Sequence, residues 1–206
     1  MHSDKFRNRY RIKSTRKPGW DYRRKAIYFI TFCTDKRQPY FGRIVKGEMI
    51  LSDLGQIAFK NWNDIPKHFP FIELINFVVM PNHIHGLVGI IDNTREITVE
   101  TLHAVETLHA VETLHATSLQ SPEQSQQIRN NELMAAISPK HGSLSSVIRS
   151  FKSSVTRFAN QNNIEFGWQT RYHDHIVRND DEFVRIDKYI TNNPRKWDND
   201  DLNIKL

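Results

Sequence analysis

The chain has 206 residues, a formal net charge of +6 and a single cysteine, Cys33. This length predicts one domain with an additional segment, and a lone cysteine excludes a disulfide framework and indicates a reducing compartment, so we expect a cytoplasmic protein. No apolar stretch approaches the roughly 18 residues of a membrane span, and the basic N-terminus lacks the apolar core of a signal peptide, which argues against membrane insertion and export.

Residues 1–25 form a basic N-terminal arm. They carry ten lysines and arginines against two aspartates, and four aromatic residues lie between the charges: Phe6, Tyr10, Trp20 and Tyr22. Cations neutralise phosphates and aromatic rings stack on bases, so this composition favours contact with nucleic acid. A solvated tail is the alternative.

From residue 26 onward the sequence alternates between strand-like and helix-like patterns. Runs of β-branched and aromatic residues predict strands, and apolar residues spaced three and four apart predict helices. The predicted strands are residues 26–34, 40–45, 48–51, 73–80, 83–91 and 168–177. The predicted helices begin at the caps Ser52 and Asn179 and near Leu144, and they end at Pro66, at Asn193 before Pro194, and near Ala159.

Residues 92–142 differ from the rest of the chain. They contain a hexamer repeat, Thr-Leu-His-Ala-Val-Glu, from Thr101 to Ala116, followed by a stretch rich in Ser, Gln and Asn. Successive copies in a helix would rotate by about 240°, so the repeated histidines would not share a face. We therefore expect an inserted low-complexity loop, with a histidine-rich binding tract as the alternative.

His83 and His85 are the most informative residues of the chain. They lie one residue apart in an apolar strand-like run, and residues i and i+2 of a strand point to the same face. Two rigid neighbouring imidazoles suit one divalent metal ion, although two ligands do not complete a site. A second pair, His173 and His175 around Asp174, is the alternative metal pair, or one of its histidines carries protons near the site.

The last predicted helix carries a second candidate group. Tyr189 and Asn193 are separated by one helical turn and share the border of its apolar side. A phenol there is a candidate nucleophile, and the amide oxygen of Asn193 is a candidate ligand for a hard cation. The alternative is that Tyr189 is an amphipathic packing residue.

These motifs together resemble the single-tyrosine HUH transposases, and most closely the REP-associated tyrosine transposases. The resemblance spans roughly residues 25–91 and 143–197. The blocks that carry it, in order, are Ser52-Asp53-Leu54-Gly55, Val79-Met80-Pro81-Asn82-His83-Ile84-His85-Gly86, Ser150-Phe151-Lys152-Ser153, the run from Trp168 to Asn179, and Tyr189-Ile190-Thr191-Asn192-Asn193-Pro194.

The resemblance implies an α+β fold, an antiparallel sheet with helices packed on it, of the RRM-like or ferredoxin-like HUH endonuclease type. Residues 26–91 and 143–197 would form this single domain, with 92–142 inserted and 198–206 as a C-terminal tail. By the resemblance, His83, His85 and Asn193 hold Mg²⁺ or Mn²⁺ and Tyr189 is the nucleophile. Tyr172 is the second candidate phenol.

The activity that the resemblance implies is nicking and joining of single-stranded DNA through a 5′-phosphotyrosine intermediate, on hairpin-forming repeats. We expect Lys152, Arg171 and Arg178 to contact phosphates and His175 to assist proton transfer. The expected partner is single-stranded or hairpin DNA, and the expected state is a monomer or homodimer. Two alternatives remain: a non-catalytic RRM-like nucleic-acid-binding protein, and a metal-dependent hydrolase that uses both histidine pairs around zinc.

Overall fold

A computed structural model describes residues 17–91 and 139–203, together with the backbone of two short paired strands, Lys5–Phe6 (β1) and Arg9–Tyr10 (β2). The rest of the N-terminal arm and the hexamer repeat lie outside the described residues. None of the helices within the described ranges is long and apolar enough to cross a membrane.

The described elements follow the predicted order. The further strands are β3 (Ala26–Cys33), β4 (Gly42–Val45), β5 (Glu48–Leu51), β6 (Ile72–Val79), β7 (His83–Ile90) and β8 (His173–Val177). The helices are α1 (Asp53–Asn63), α2 (Ile65–His68), α3 (Leu144–Gln161) and α4 (Asp180–Asn192), with 3₁₀ turns at Asp35–Arg37 and Pro194–Asn199.

Four strands form one antiparallel sheet in the order β6-β7-β3-β8, and β4 and β5 form a separate hairpin. Apart from this hairpin and α2, the chain runs β3-α1-β6-β7-α3-β8. A β-α-β-β-α-β chain whose second, third, first and fourth strands lie side by side is ferredoxin-like. The α+β fold class predicted from the sequence is therefore confirmed.

Helices cover both faces of the sheet. Tyr28, Ile30 and Phe32 point from β3 into the larger core with α1 and α3, while Leu87 and Phe29 pack against α4. Alternate residues of a strand point to opposite faces, which explains this division. His83, His85 and Leu87 are alternate residues of β7, so the two imidazoles point to the same face of the sheet as Leu87. This is the face on which α4 packs.

Two predicted boundaries are wrong. Pro66 does not end a helix but lies in the first turn of α2, where a missing backbone N–H costs little. The last strand begins at His173 rather than at residue 168, because Trp168 forms an isolated bridge with Thr34 and donates its indole N–H to the carbonyl oxygen of Lys152 at 3.1 Å.

Two aromatic residues of the predicted arm belong to the folded domain. Tyr22 is buried and its hydroxyl donates to a carboxylate oxygen of Asp174 at 2.5 Å. The Trp20 indole N–H donates to the Tyr28 hydroxyl at 3.1 Å. The expectation of base stacking is therefore wrong for Tyr22, which belongs to the core, while for Trp20, which is partly buried, it stays a prediction.

Gly86, which follows the histidine pair, allows β7 to approach α1 closely. A Cβ atom at this position would lie 2.5 Å and 2.8 Å from two ring atoms of the fully buried Trp62. We expect Gly86→Ala to lower the free energy of unfolding by about 1–3 kcal/mol through overpacking, as measured by urea unfolding. The control is Gly89→Ala, whose new Cβ would make ordinary contacts at 3.6 Å with Glu73. Equal stability of the two variants would contradict this packing.

Candidate metal centre

His83 and His85 lie side by side at the start of β7. Their ring centroids are 4.5 Å apart, and the two residues are 0% and 2% exposed. Both face α4, as the strand alternation predicts. One ring nitrogen of His83 and both ring nitrogens of His85 lie within hydrogen-bond distance of neighbouring side chains, and these contacts decide which nitrogen is available to a ligand.

Asn82 fixes the orientation of the His83 ring. Its amide N–H groups donate to the backbone oxygens of Arg37 at 3.1 Å and Leu202 at 2.8 Å, so its Oδ1 faces His83 Nδ1 at 2.8 Å. Nδ1 therefore carries the proton and donates, which leaves a lone pair on Nε2. Within the described residues His83 Nε2 is buried and has no hydrogen-bond partner. A buried, unpaired acceptor of this kind is an open ligand position.

His85 connects the sheet to α4. Its Nδ1 lies 2.7 Å from the Thr31 hydroxyl on β3, and its Nε2 lies 3.1 Å from the hydroxyl of Tyr189. Phe29 stacks on the imidazole, with ring centroids 5.4 Å apart, and meets the Tyr189 ring edge-on. The candidate nucleophile of the last helix is thus in direct contact with the histidine pair.

Burial keeps both imidazoles neutral. It lowers the pKa of His83 from 6.5 to about 3, and the positive charge of Arg37 acts in the same direction. The pKa of His85 is well below its ordinary value, first because of burial and then because of the neighbouring His83. Neutral imidazole is the form that binds metal, so both rings are ready to act as ligands near pH 7.

The same pKa shifts predict how stability depends on pH. The unfolded chain protonates these histidines near pH 6.5, while the folded chain keeps His83 neutral down to about pH 3. The free energy of unfolding without metal should therefore be fully present above pH 6.5 and fall as the pH falls below it. The expected slope is up to about 1.4 kcal/mol per pH unit for each histidine.

Urea unfolding in chelator between pH 7.5 and 5 measures this slope. Replacing the exposed His68 and His141 by Gln is the control and should leave the slope unchanged. Constant stability across this range would show that the pair is not buried in the neutral form.

Helix α4 holds the nucleophile candidate over the sheet. Asn179 caps its first turn by accepting from the N–H of Glu182, and Ile186 and Ile190 anchor it beside Leu87. Tyr189 is 42% exposed, and its ring contacts His85. Burial and then the Asp200 carboxylate raise the pKa of Tyr189, while its hydrogen bond with Asn193 acts in the opposite direction.

Asp200 is the site residue that the sequence analysis missed. Ligand atoms of His83, His85 and Asp200 all lie within 4.8 Å of one another. The carboxylate is held by the N–H of Leu202 at 2.7 Å and by the amide of Asn193 at 3.1 Å. Asp200 belongs to the predicted tail, and its only sequence signal is the acidic run 198–201 shortly after Asn193-Pro194.

Asn193, the third ligand expected from the resemblance, borders this cluster. It is 2% exposed and its amide nitrogen donates to Asp200 Oδ2. Its Oδ1 is buried and has no hydrogen-bond partner among the described residues. The amide oxygen is therefore free to bind a cation, and its role as a ligand stays a prediction.

The expected DNA-contacting residues are not gathered around the histidine pair. Lys152 packs against Phe32, on the opposite face of the sheet. Arg171 and Arg178 are exposed before and after β8. His175 lies on β8, where its Nε2 is 2.8 Å from a carboxylate oxygen of Glu182. Their roles in binding phosphate and transferring protons remain predictions.

The donors around the histidine pair fit a divalent metal ion. Two neutral imidazoles, a carboxylate and an unpaired amide oxygen form a mixed nitrogen and oxygen set. Imidazole nitrogens and carboxylate or amide oxygens are both common ligands of divalent metal ions in proteins. The alternative pair is less suitable, because His175 is already bound to Glu182.

Comparisons with known proteins give one related sequence and two similar solved structures. No protein-family model matches the chain. An uncharacterized protein of Haemophilus influenzae is 33% identical over 194 residues, which cover 92% of each chain. A solved REP-associated tyrosine transposase bound to a REP hairpin is similar with a TM-score of 0.49 and 15% identity, over 88% of this chain and 74% of that one. A candidate transposase from Deinococcus radiodurans is similar with a TM-score of 0.35 and 14% identity, over 86% of this chain and 95% of that one.

Proposed function

The chain belongs to the same family as the uncharacterized Haemophilus influenzae protein, and we propose that it is a REP-associated tyrosine transposase that nicks and joins single-stranded DNA. The observation that carries this proposal is the contact between the Tyr189 hydroxyl and His85 Nε2, at 3.1 Å, beside a buried histidine pair. A partly exposed phenol next to a candidate metal centre is the pairing that covalent strand cleavage requires.

Tyr189 would act as the nucleophile. Its hydroxyl oxygen forms a bond to the phosphorus of the scissile phosphodiester and loses its proton, while the bond from phosphorus to the 3′-oxygen breaks. The products are a 5′-phosphotyrosine and a free 3′-hydroxyl, which takes up a proton. Attack of a 3′-hydroxyl on the phosphotyrosine reverses these steps and joins strands without an external energy source.

His83, His85 and Asp200, with the amide oxygen of Asn193, would hold the metal ion, which we propose is Mg²⁺ or Mn²⁺. When bound, such an ion withdraws charge from the scissile phosphate. Burial first and the Asp200 carboxylate second raise the pKa of Tyr189, so a cation that neutralises this carboxylate would favour the phenolate. Asp200 would thus couple activation of the nucleophile to occupation of the site.

The proposed substrate is a single strand that folds into a hairpin, as self-complementary repeat sequences do. Arg171 and Arg178 flank β8, the strand next to β3 in the sheet, and they are exposed. We propose that they neutralise phosphates of the bound strand along the edge of the sheet, and that Lys152 contacts the strand from the other face. His175 is the proposed proton carrier.

Incubation with short hairpin oligonucleotides tests this function. With Mn²⁺ or Mg²⁺, we expect a fraction of the protein to migrate as a covalent protein–DNA adduct on a denaturing gel, and excess chelator should abolish it. The control is a fully duplex oligonucleotide of the same length, which should form no adduct. Tight oligonucleotide binding without any adduct would instead favour the non-catalytic RRM-like alternative.

A further inference from the structure

A large cavity lies on the face of the sheet opposite to the histidine pair. It has a volume of about 710 Å³ and lies between α3 and the segment Trp168–Tyr172. A second cavity of about 260 Å³ adjoins it across the exposed side of α3. The larger volume is within the range of about 300–1,000 Å³ that holds organic ligands. Neither cavity takes part in the proposed strand cleavage.

The walls of both cavities are positively charged. Arg149 and Arg157 line both, Lys152 lines the larger one, and among the described residues 17–91 and 139–203 no aspartate or glutamate lines either cavity. Arg149, Ser153 and Arg157 follow one another at intervals of four residues, so they form a ridge along one side of the helix. A concave surface lined by several cations attracts a polyanion.

Lys152 is the most enclosed of these cations. Its ammonium group donates to the carbonyl oxygen of Gln169 at 2.9 Å and lies 5.4 Å from the centre of the Trp168 ring. Burial lowers its pKa to about 8. A phosphate in the cavity would stabilise the charged form of this partly desolvated ammonium, so binding is favoured at this position.

Aromatic rings complete the cavity. Trp168 and Tyr172 contribute to its wall, and the Tyr172 hydroxyl lies 3.1 Å from the hydroxyl of Ser145, which holds the ring in place. Base stacking on such rings tolerates any sequence. Cations for the backbone together with rings for the bases match unpaired nucleic acid better than an isolated phosphate.

Residues 168–172, which form this wall, also contact the end of β3. This end of β3 pairs with the start of β7, where the candidate metal centre lies. The N–H of Gln169 donates to the carbonyl oxygen of Cys33 at 3.0 Å, and Cys33 is the register partner of His83. A nucleic-acid strand that follows residues 168–172 around β3 would therefore pass from the cavity towards the cleavage site.

We propose that this cavity is a second nucleic-acid site, which holds an unpaired stretch of the same strand that is cleaved at Tyr189. The proposal rests on the proposed function and specifies how its substrate is held. Arg149, Arg157 and Lys152 bind the phosphates, and the bases stack on the aromatic wall. The unpaired stretch is thereby anchored on one face of the sheet while chemistry proceeds on the other.

Binding of a fluorescent single-stranded oligonucleotide, measured by anisotropy in excess chelator, tests the site without any cleavage. Arg149→Gln combined with Arg157→Gln should weaken binding about tenfold or more and reduce the slope of log affinity against log salt by about 1.4, since each contact to a single strand contributes about 0.7. The control variant carries the same charge change at two exposed residues, Arg43→Gln and Lys60→Gln. Its affinity for the oligonucleotide should fall by less than twofold.

The outcomes separate this inference from the proposed function. Affinity of the wild type should be the same in excess chelator and with Mn²⁺ added, because the cavity does not depend on the metal centre. Photo-crosslinks from a thiothymidine oligonucleotide should map to α3 or to residues 168–172. Affinity of the Arg149 and Arg157 variant within twofold of the control, crosslinks only elsewhere, or equal competition by a duplex would overturn the inference. Absence of an adduct with wild-type protein, with the crosslinks and the loss of affinity retained, would overturn the proposed function and leave the cavity as a binding site for unpaired nucleic acid.

Discussion

Replacing Tyr189 by phenylalanine should reduce formation of the covalent protein–DNA adduct by about 10³-fold or more, because no other group would supply the attacking oxygen. The substitution removes only the hydroxyl that lies 3.1 Å from His85 Nε2. The ring contacts with His85 and Phe29 are kept, so the fold should be retained. Denaturing gels with a labelled hairpin oligonucleotide measure the loss, and circular dichroism checks the fold.

Tyr172→Phe is the matched control for this experiment. Its hydroxyl contacts Ser145, and Tyr172 is the second candidate phenol of the sequence analysis. We expect this variant to form the adduct at a rate within a few-fold of the wild type. An adduct that persists in Tyr189→Phe but disappears in Tyr172→Phe would transfer the nucleophilic role to the segment before β8.

The second large effect concerns metal binding. His83→Ala with His85→Ala should abolish binding of Mn²⁺ measured by isothermal titration calorimetry, because the remaining oxygen ligands cannot replace two fixed imidazoles. Loss of a group that supports a metal ligand lowers metal affinity by about 10–100-fold. We expect Asp200→Asn to weaken binding of Mn²⁺ by at least this factor. The control is Asp201→Asn, a substitution of the exposed residue next to Asp200, and this variant should bind Mn²⁺ as the wild type does.

Asn193→Ala in the same titration compares the ligand implied by the resemblance with the one found in the structure. If Asn193 supplies an oxygen ligand, its loss weakens binding directly; if it only orients Asp200, the effect is smaller than that of Asp200→Asn. Binding of Mn²⁺ that survives the double histidine substitution would contradict the proposed centre as a whole.

The local chemistry of this chain made much of the fold predictable. Ser52 and Asn179 accept hydrogen bonds from the third residue after them, as helix caps do, and the helices begin where those residues predict. Strand alternation placed His83 and His85 on one face, and the helical spacing placed Tyr189 and Asn193 one turn apart. These inferences need only residue periodicity, which the sequence carries completely.

Other features depend on contacts between distant segments and carry no periodic signal. Asp200 joins the centre because the short turn after Pro194 brings the chain back beside His83, with Leu202 held by Asn82. Residues 168–172 look strand-like, but Trp168 satisfies its indole N–H on α3 instead of continuing β8. Lys152 lies on the other face of the sheet because α3, the helix that carries it, packs against the larger core on that face.

Mass spectrometry of the trypsin-digested adduct tests the central claim most directly. Cleavage after Lys188 and Arg195 releases the peptide 189–195, and cleavage after Arg171 and Arg178 releases 172–178, so the two candidate phenols lie in separate peptides. We predict that the nucleotide is attached to Tyr189. A nucleotide on the peptide 172–178, or on any residue other than Tyr189, would contradict the account.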